Sequence, residues 1–183
     1  VTDPLTSLAN RRAFNDRLDE EIRRSKRYEH PFTLVMMDIN GFKAVNDNFG
    51  HPVGDLTLQQ VAACLVSSVR DTDFVARYGG DEFVVIIKGL NQKEALQRAE
   101  TICQQVAEAE PLGIAATCSI GLACHDKKMG LQLVELLSSI DESPEEIELN
   151  YQTLFKAADH SLYAAKQAGR NQVCINNLLK PAQ

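Results

Sequence analysis

The feature that most constrains this chain is a turn between two apolar runs. Residues 73–78 and 83–88 read as the arms of a β-hairpin, with Gly79-Gly80-Asp81-Glu82 at its tip. Adjacent glycines weaken a strand and adjacent carboxylates repel, so this tip is unfavourable on its own. It makes sense if a ligand must approach the turn backbone and the acids must hold a cation. A second acid, Asp38, ends the apolar run Leu34-Val35-Met36-Met37. A charge at the end of a buried strand is expensive without a partner. Asp38 and Asp81 together point to a two-carboxylate Mg²⁺ site for nucleotide phosphates.

Elements around the hairpin follow from periodicity. Phe14, Leu18 and Ile22 recur every fourth position, which predicts a helix over 11–28 with Asn10 as N-cap and an outer face rich in Arg and Lys. Residues 32–39 read as a buried strand, and 41–49 as a short helix or turn stopped by Gly50. A helix starting near Asp55 carries the stripe Leu58, Val61, Ala62, Leu65, Val66 and Val69. Asn91 and Glu94 have capping-box spacing, and Ala95, Ala99, Ile102, Cys103 and Val106 form the inner face of the helix behind them. Residues 114–124 predict a strand, 151–168 a last helix closed by Gly169, and Val173-Cys174-Ile175 a closing strand. Strands alternating with helices, with one pair as a hairpin, imply an α+β fold with a mixed sheet and helices packed on it.

Composition removes several classes. At 183 residues the chain is expected to be one domain. Its net charge of −6 argues against a nucleic-acid binder, without excluding a locally basic phosphate pocket. No apolar run approaches a membrane span. The five cysteines are scattered and form no Cys-x-x-Cys pair, which fits reduced core residues of a cytoplasmic protein. Residues 126–150 break the alternation. Leu131, Val134 and Leu137 have helical spacing, and Asp141, Glu142, Glu145, Glu146 and Glu148 surround Pro144. This acidic stretch reads as a solvated loop with one amphipathic turn, or as a contact surface for a partner domain.

The motifs, in order, name a family. They are Asp3-Pro4-Leu5-Thr6-Ser7-Leu8-Ala9-Asn10-Arg11-Arg12, Asp38-Ile39-Asn40-Gly41-Phe42-Lys43-Ala44-Val45-Asn46-Asp47, Gly50-His51, Gly54-Asp55, Arg77-Tyr78-Gly79-Gly80-Asp81-Glu82-Phe83, Ser119-Ile120-Gly121 and Ala165-Lys166-Gln167-Ala168-Gly169-Arg170-Asn171. The chain resembles the GGDEF domain of bacterial diguanylate cyclases, which join two GTP into cyclic di-GMP. The resemblance implies a ferredoxin-like palm similar to nucleotide cyclases and polymerases. It also implies Mg²⁺ or Mn²⁺ dependence and a catalytic homodimer. The chain opens on the first motif without an initiator Met. The expectation is therefore a GGDEF domain over 1–183, with an acidic insertion at 126–150 and a sensor domain upstream in a longer protein. That longer protein could be anchored to a membrane through its upstream regions.

The resemblance also assigns roles. Asp38, the Ile39 carbonyl and Asp81 match metal ligands, and Asp81 and Glu82 match the catalytic acids that activate the attacking hydroxyl. As plain residues, Asp81 and Glu82 also fit turn polars. Asn46 and Asp55 match guanine readers. A carboxylate accepts from guanine N1–H and the 2-amino group, donors that adenine lacks. Asp55 also fits a helix N-cap, and Asn46 a polar residue at a helix end. His51 is expected to shape the same pocket. Lys43, Lys166 and Arg170 match phosphate contacts, and the spacing of Lys166 and Arg170 lets both face one anion. Asn40 departs from the Asp of many relatives, keeping an oxygen but not the charge.

Arg70 and Asp73 match an inhibitory product site, where cyclic di-GMP would bind and partly inhibit. They also fit a surface salt bridge. A further arginine of some relatives falls at Thr101, and Arg98 lies one turn earlier. Other readings are a non-catalytic GTP or cyclic di-GMP sensor, which the intact Asp81 and Glu82 weigh against, and a cyclase making a mixed GMP–AMP product, which Asp55 weighs against.

Overall fold

The computed structural model describes residues 1–110, 113–114, 116–125, 151–170 and 173–175. In chain order the elements are α1 (Arg11–Tyr28), β1 (Phe32–Asn40), α2 (Phe42–Phe49), α3 (His51–Ser68), β2 (Phe74–Arg77), β3 (Glu82–Lys88), α4 (Gln92–Ala109), β4 (Thr117–His125), α5 (Tyr151–Gln167) and β5 (Val173–Ile175). The sheet order is β2-β3-β1-β4-β5. β1 runs antiparallel to both β3 and β4, β2 antiparallel to β3, and β5 parallel to β4. The mixed sheet and the hairpin stand as expected. The acidic stretch 126–150 lies outside the described residues.

β1 is central, and strand alternation sends its side chains to two cores. Val35, Met37 and Ile39 face α3 and α4, packing with Leu58, Val61, Leu65, Ile102 and Val106. Phe32, Leu34 and Met36 face α1 and α5, packing with Phe14, Leu18, Leu154 and Leu162. Burial on both faces explains why β1 reads as a continuous apolar run rather than an alternating one. Gly121 fits the α5 side. A Cβ there would collide with Ala158 O and Leu162 N, so only glycine lets the helix lie this close.

Caps set the boundaries. Asn10 Oδ1 accepts from Ala13 N at 3.0 Å. Asn91 and Glu94 close the expected capping box at 2.9 and 3.0 Å. α5 ends in a Schellman turn, with Arg170 N donating to Ala165 O and Gly169 N to Lys166 O, and Gly169 at φ 117°.

The start of α3 differs from expectation. Gly50, at φ 87°, closes α2 by donating to Asn46 O, and α3 begins at His51 with Pro52 in its first turn. Proline is pre-organised for a first turn, so Asp55 stands inside the helix and is not its N-cap. β4 likewise begins at Thr117 rather than near 114. Cys103, Cys118 and Cys124 are buried and Cys64 is half-buried. The burial of Cys174 lies outside the described residues. Among the described residues no helix is long and apolar enough to cross a membrane.

Candidate active site

The C-terminal end of β1 meets the β2–β3 turn. Asp38 pairs in register with Glu82 on β3 and Ser119 on β4, and Ile39 N donates to Asp81 O at 3.3 Å. Asp38 shares a strand face with Leu34 and Met36, the face covered by α5. There Lys166 Nζ contacts Asp38 Oδ2. The other oxygen, Asp38 Oδ1, is buried with no hydrogen-bond partner.

Asp81 and Glu82 complete an acidic cluster. Burial first, and then the neighbouring Asp38 charge, push the Asp81 carboxyl up to about 6. Burial also raises Glu82, reinforced by Asp38 and Asp159 and opposed by Lys166 and Arg11. Like charges gathered in a partly dry site favour protonation, and a cation would relieve both effects. Among the described residues no three His, Cys, Asp or Glu side chains form a ready cage. Mg²⁺ commonly takes one or two carboxylates, waters and substrate phosphates, so Asp38 and Asp81 suit it. The partnerless Asp38 Oδ1 is the atom such a cation would satisfy.

The turn itself is braced from behind. Tyr78 N donates to Glu82 O at 2.8 Å. Arg77 donates from Nε to Gly79 O and Gly80 O at 3.2 Å each, and from Nη2 to Gly80 O at 2.7 Å. Its Nη1 reaches Asp3 at 3.2 Å. The Arg11 guanidinium sits 4.7 Å from the centre of the Tyr78 ring, which also packs on Phe14 and Phe155. A Cβ on Gly79 would stand 3.0 Å from Glu82 Oε2, whereas one on Gly80 would meet nothing within 4 Å. Gly80 therefore leaves open space beside the acids, as close approach of a ligand requires.

Asn40 is tied to β4. Its Nδ2 donates to Thr117 Oγ1 and its Oδ1 accepts from Ser119 Oγ, both at 2.9 Å. The oxygen expected as a spare ligand is thus engaged within the sheet. Lys166 and Arg170 also differ from expectation. The helix stops at Gln167, and Arg170 closes the Schellman turn outside the helix with φ 62°. Their separation is not helical spacing, and Lys166 lies on Asp38 rather than sharing an anion with Arg170.

The other residues gather on α2 and α3. Lys43, His51 and Asp55 are exposed, and Asn46 is half-buried. A Cβ on Gly54 would collide with Asn46 Oδ1 and come within 3.3 Å of the Phe42 ring. A glycine inside a helix is unfavourable by about 1 kcal/mol against alanine, and here it gives the Asn46 amide its place. Farther off, Asp73 accepts from Arg70 N at 2.9 Å and from Lys88 N at 3.2 Å. Their side chains make no ion pair among those described; the carboxylate caps backbone instead. Arg98 Nη1 donates to Ser68 O at 3.3 Å, beside the same loop. Two surface grooves of about 660 Å³ run along α1, one lined by Arg23, Arg24, Arg27 and Tyr28 and the other by Arg12, Arg17 and Phe74; neither borders the acids.

The Asp3–Arg77 link, the Gly54–Asn46 contact and the approach of Asp159 to Glu82 were not foreseen from sequence. None of these left a signal in the sequence, because a helix expected to start near Asp55 leaves Gly54 outside it, and only the start of α3 at His51 puts that glycine within a helix.

Comparison with known proteins places this geometry. A sequence profile described as "Diguanylate cyclase, GGDEF domain" matches residues 1–150. Diguanylate cyclase DgcP of Pseudomonas aeruginosa is 36% identical over 179 residues, covering 94% of this chain and 23% of the relative. Response regulator PleD of Caulobacter vibrioides is 37% identical over 180 residues, covering 94% of this chain and 35% of the relative. The chain thus spans about a quarter to a third of the length of these relatives. A solved GGDEF domain of DgcB from Caulobacter crescentus, in complex with c-di-GMP, superposes with a TM-score of 0.78 at 31% identity, covering 96% of this chain and 95% of that one.

Proposed function

Because the chain belongs to the GGDEF domain family of diguanylate cyclases, we propose that it joins two GTP molecules into cyclic di-GMP and releases two pyrophosphates. It does so as a homodimer with one GTP per half-site, using Mg²⁺ or Mn²⁺. Residues 1–183 act as the catalytic domain of a longer cytoplasmic protein, under an upstream sensor domain. The observation that carries this reading is the juxtaposition of the Asp38 and Asp81 carboxylates at the hairpin tip, with Asp38 Oδ1 buried and given no donor while Asp81 is ionised.

In each step the 3′-hydroxyl of one GTP attacks the α-phosphorus of the other. A P–O bond forms, the bond to the β-phosphate bridge breaks, and pyrophosphate leaves. Such transfers depend mainly on positioning and charge neutralisation. Asp38, the Ile39 carbonyl and Asp81 would hold the divalent cation, which when bound would neutralise phosphate charge and acidify the attacking hydroxyl. Glu82, raised by burial and by Asp38, accepts the hydroxyl proton more readily than an ordinary carboxylate. Asn46 and Asp55 select guanine by its edge, and His51 shapes the pocket. Lys43, Lys166 and Arg170 take the phosphates. Cyclic di-GMP binds again at Arg70 and Asp73 and partly inhibits turnover.

The test is to incubate purified protein with GTP and Mg²⁺ and identify the product by mass. Wild type yields cyclic di-GMP, and a folded Asp81→Ala variant yields none. A folded variant that turns over like wild type overturns the metal assignment.

A further inference from the structure

The acidic cluster raises a question the proposed chemistry leaves open: what neutralises it when no nucleotide is bound. Asp38, Asp81, Glu82 and Asp159 all act on one another or on a common neighbour. Two cations face them, Arg11 and Lys166. Arg11 is stacked on the Tyr78 ring. Among the described residues, Lys166 alone makes direct contact with a carboxylate of the β1 end, at Asp38 Oδ2. Its backbone is fixed, because the buried Ala165 beside it packs inward and the closing turn of α5 bonds to Lys166 O. The ammonium thus occupies one oxygen of the carboxylate that a divalent cation needs.

We propose that Lys166 is the resident counter-cation of Asp38 in the nucleotide-free protein, and that it surrenders Asp38 to a divalent cation only when a triphosphate offers it another partner. This rests on the metal-dependent reading above and adds an order to it: the nucleotide comes with or before the metal, not after. Three features fit. Asp38 is only 14% exposed and Lys166 31%, so the pair is partly shielded from water and competes better than a surface pair. No three described acids form a cage, so a cation held by Asp38 and Asp81 would draw the rest of its ligands from water and phosphate. A lysine ammonium on a flexible stem can move between a carboxylate and a phosphate without backbone change.

The consequence is a pair of opposite effects from one substitution. Lys166→Met removes the competitor for Asp38 and the partner for phosphate together. Mn²⁺ is titrated into the protein without nucleotide, and free Mn²⁺ is read by electron paramagnetic resonance. Lys166→Met binds Mn²⁺ about tenfold more tightly than wild type, equivalent to about 1.4 kcal/mol. Asp38→Asn in the same background removes the gain. Calorimetry shows Lys166→Met binding 3′-deoxy-GTP, which lacks the attacking hydroxyl, more weakly than wild type. Lys166→Gln serves as the second variant if circular dichroism shows the first misfolded. Equal or weaker Mn²⁺ binding by the folded Lys166 variants overturns the proposal. If wild type takes up no Mn²⁺ even with 3′-deoxy-GTP, the metal-dependent reading itself fails. That result is distinct from uptake with nucleotide and no effect of the lysine.

Discussion

Arg77 reaches 74 residues back along the chain to Asp3, while the same guanidinium holds the carbonyls of Gly79 and Gly80. Asp3 is itself held by Thr6, whose hydroxyl and N–H donate to it at 2.7 and 2.8 Å. Burial alone would raise the Asp3 carboxyl, but the Thr6 bonds and Arg77 bring it below its ordinary value. The N-terminal segment thus supports the turn that carries Asp81 and Glu82 through the Arg77 side chain, and holds β2 by the backbone bond from Arg77 N to Ala9 O at 3.0 Å.

Arg77→Ala should therefore disorganise the turn without unfolding the sheet. Turnover falls roughly tenfold to a hundredfold, because misplacement by a fraction of an ångström is expensive in phosphoryl transfer. Asp3→Ala loosens the same clamp and has a smaller effect. The double variant resembles Arg77→Ala alone, since residues acting as one unit are non-additive. Steady-state rates on GTP, with circular dichroism as the control, check this. Fully additive losses would count against a shared clamp.

The acidic cluster makes a pH prediction. Folded, Asp81 keeps its proton up to about pH 6; its ordinary value is 3.8. The folded state binds more protons between those values, so metal-free stability falls as pH rises through that window, and the full deficit persists above it. Asp81→Asn cannot carry the charge. Metal-free at pH 7.5, it should be more stable than wild type by about 1 kcal/mol once solvent screening is allowed for, or roughly 2–4 °C in Tm. The gap should narrow toward pH 4. Thermal melts at both pH values decide, and a gap that does not change with pH excludes Asp81 as the source.

Much of this was legible in the sequence because it is local. α1 spans the residues its apolar spacing predicts, and Asn10 caps it as its side chain suggests. The hairpin was visible because two apolar runs flank a turn. Less legible was anything set between distant segments. Nothing near Asn40 announces that Thr117 and Ser119 engage its amide, because the register of β1 with β4 brings them together. The Lys166–Asp38 contact joins residues 128 apart and depends on how α5 crosses the sheet. Asp55 looked like a helix start because Asp is a good cap, but Pro52 had already begun the helix.

Gly54 offers a test of the proposed guanine pocket. Gly54→Ala raises helix propensity by about 1 kcal/mol, yet its methyl must displace the Asn46 amide. Stability should change little, while KM for GTP rises about tenfold from a lost hydrogen bond to the base. Asn46→Ala should give a similar KM, and adding Gly54→Ala to it should give little more. Initial rates against GTP concentration check this. An unchanged KM in Gly54→Ala would mean that Asn46 does not read the base.

The proposed product site carries the last prediction. The Asp73 carboxylate already accepts from the N–H groups of Arg70 and Lys88, so it shapes the turn that presents the exposed Arg70 side chain. Thr101, at the position of a further arginine in some relatives, bonds to Gln97 O on its own helix. Arg98, one turn earlier, lies beside the loop, bonded to Ser68 O two residues before Arg70. A guanidinium can fork onto a guanine edge or a phosphate. Arg70→Ala should therefore weaken cyclic di-GMP binding about tenfold and relieve product inhibition without changing Tm. Arg98→Ala should weaken binding by a smaller factor. Asp73→Ala should lower both binding and stability, the latter by about 1 kcal/mol, because two backbone donors lose their acceptor. Titration calorimetry on the four proteins, with melts alongside, separates these effects. Equal binding by wild type and Arg70→Ala would leave Asp73 as a turn cap and the loop without a ligand role.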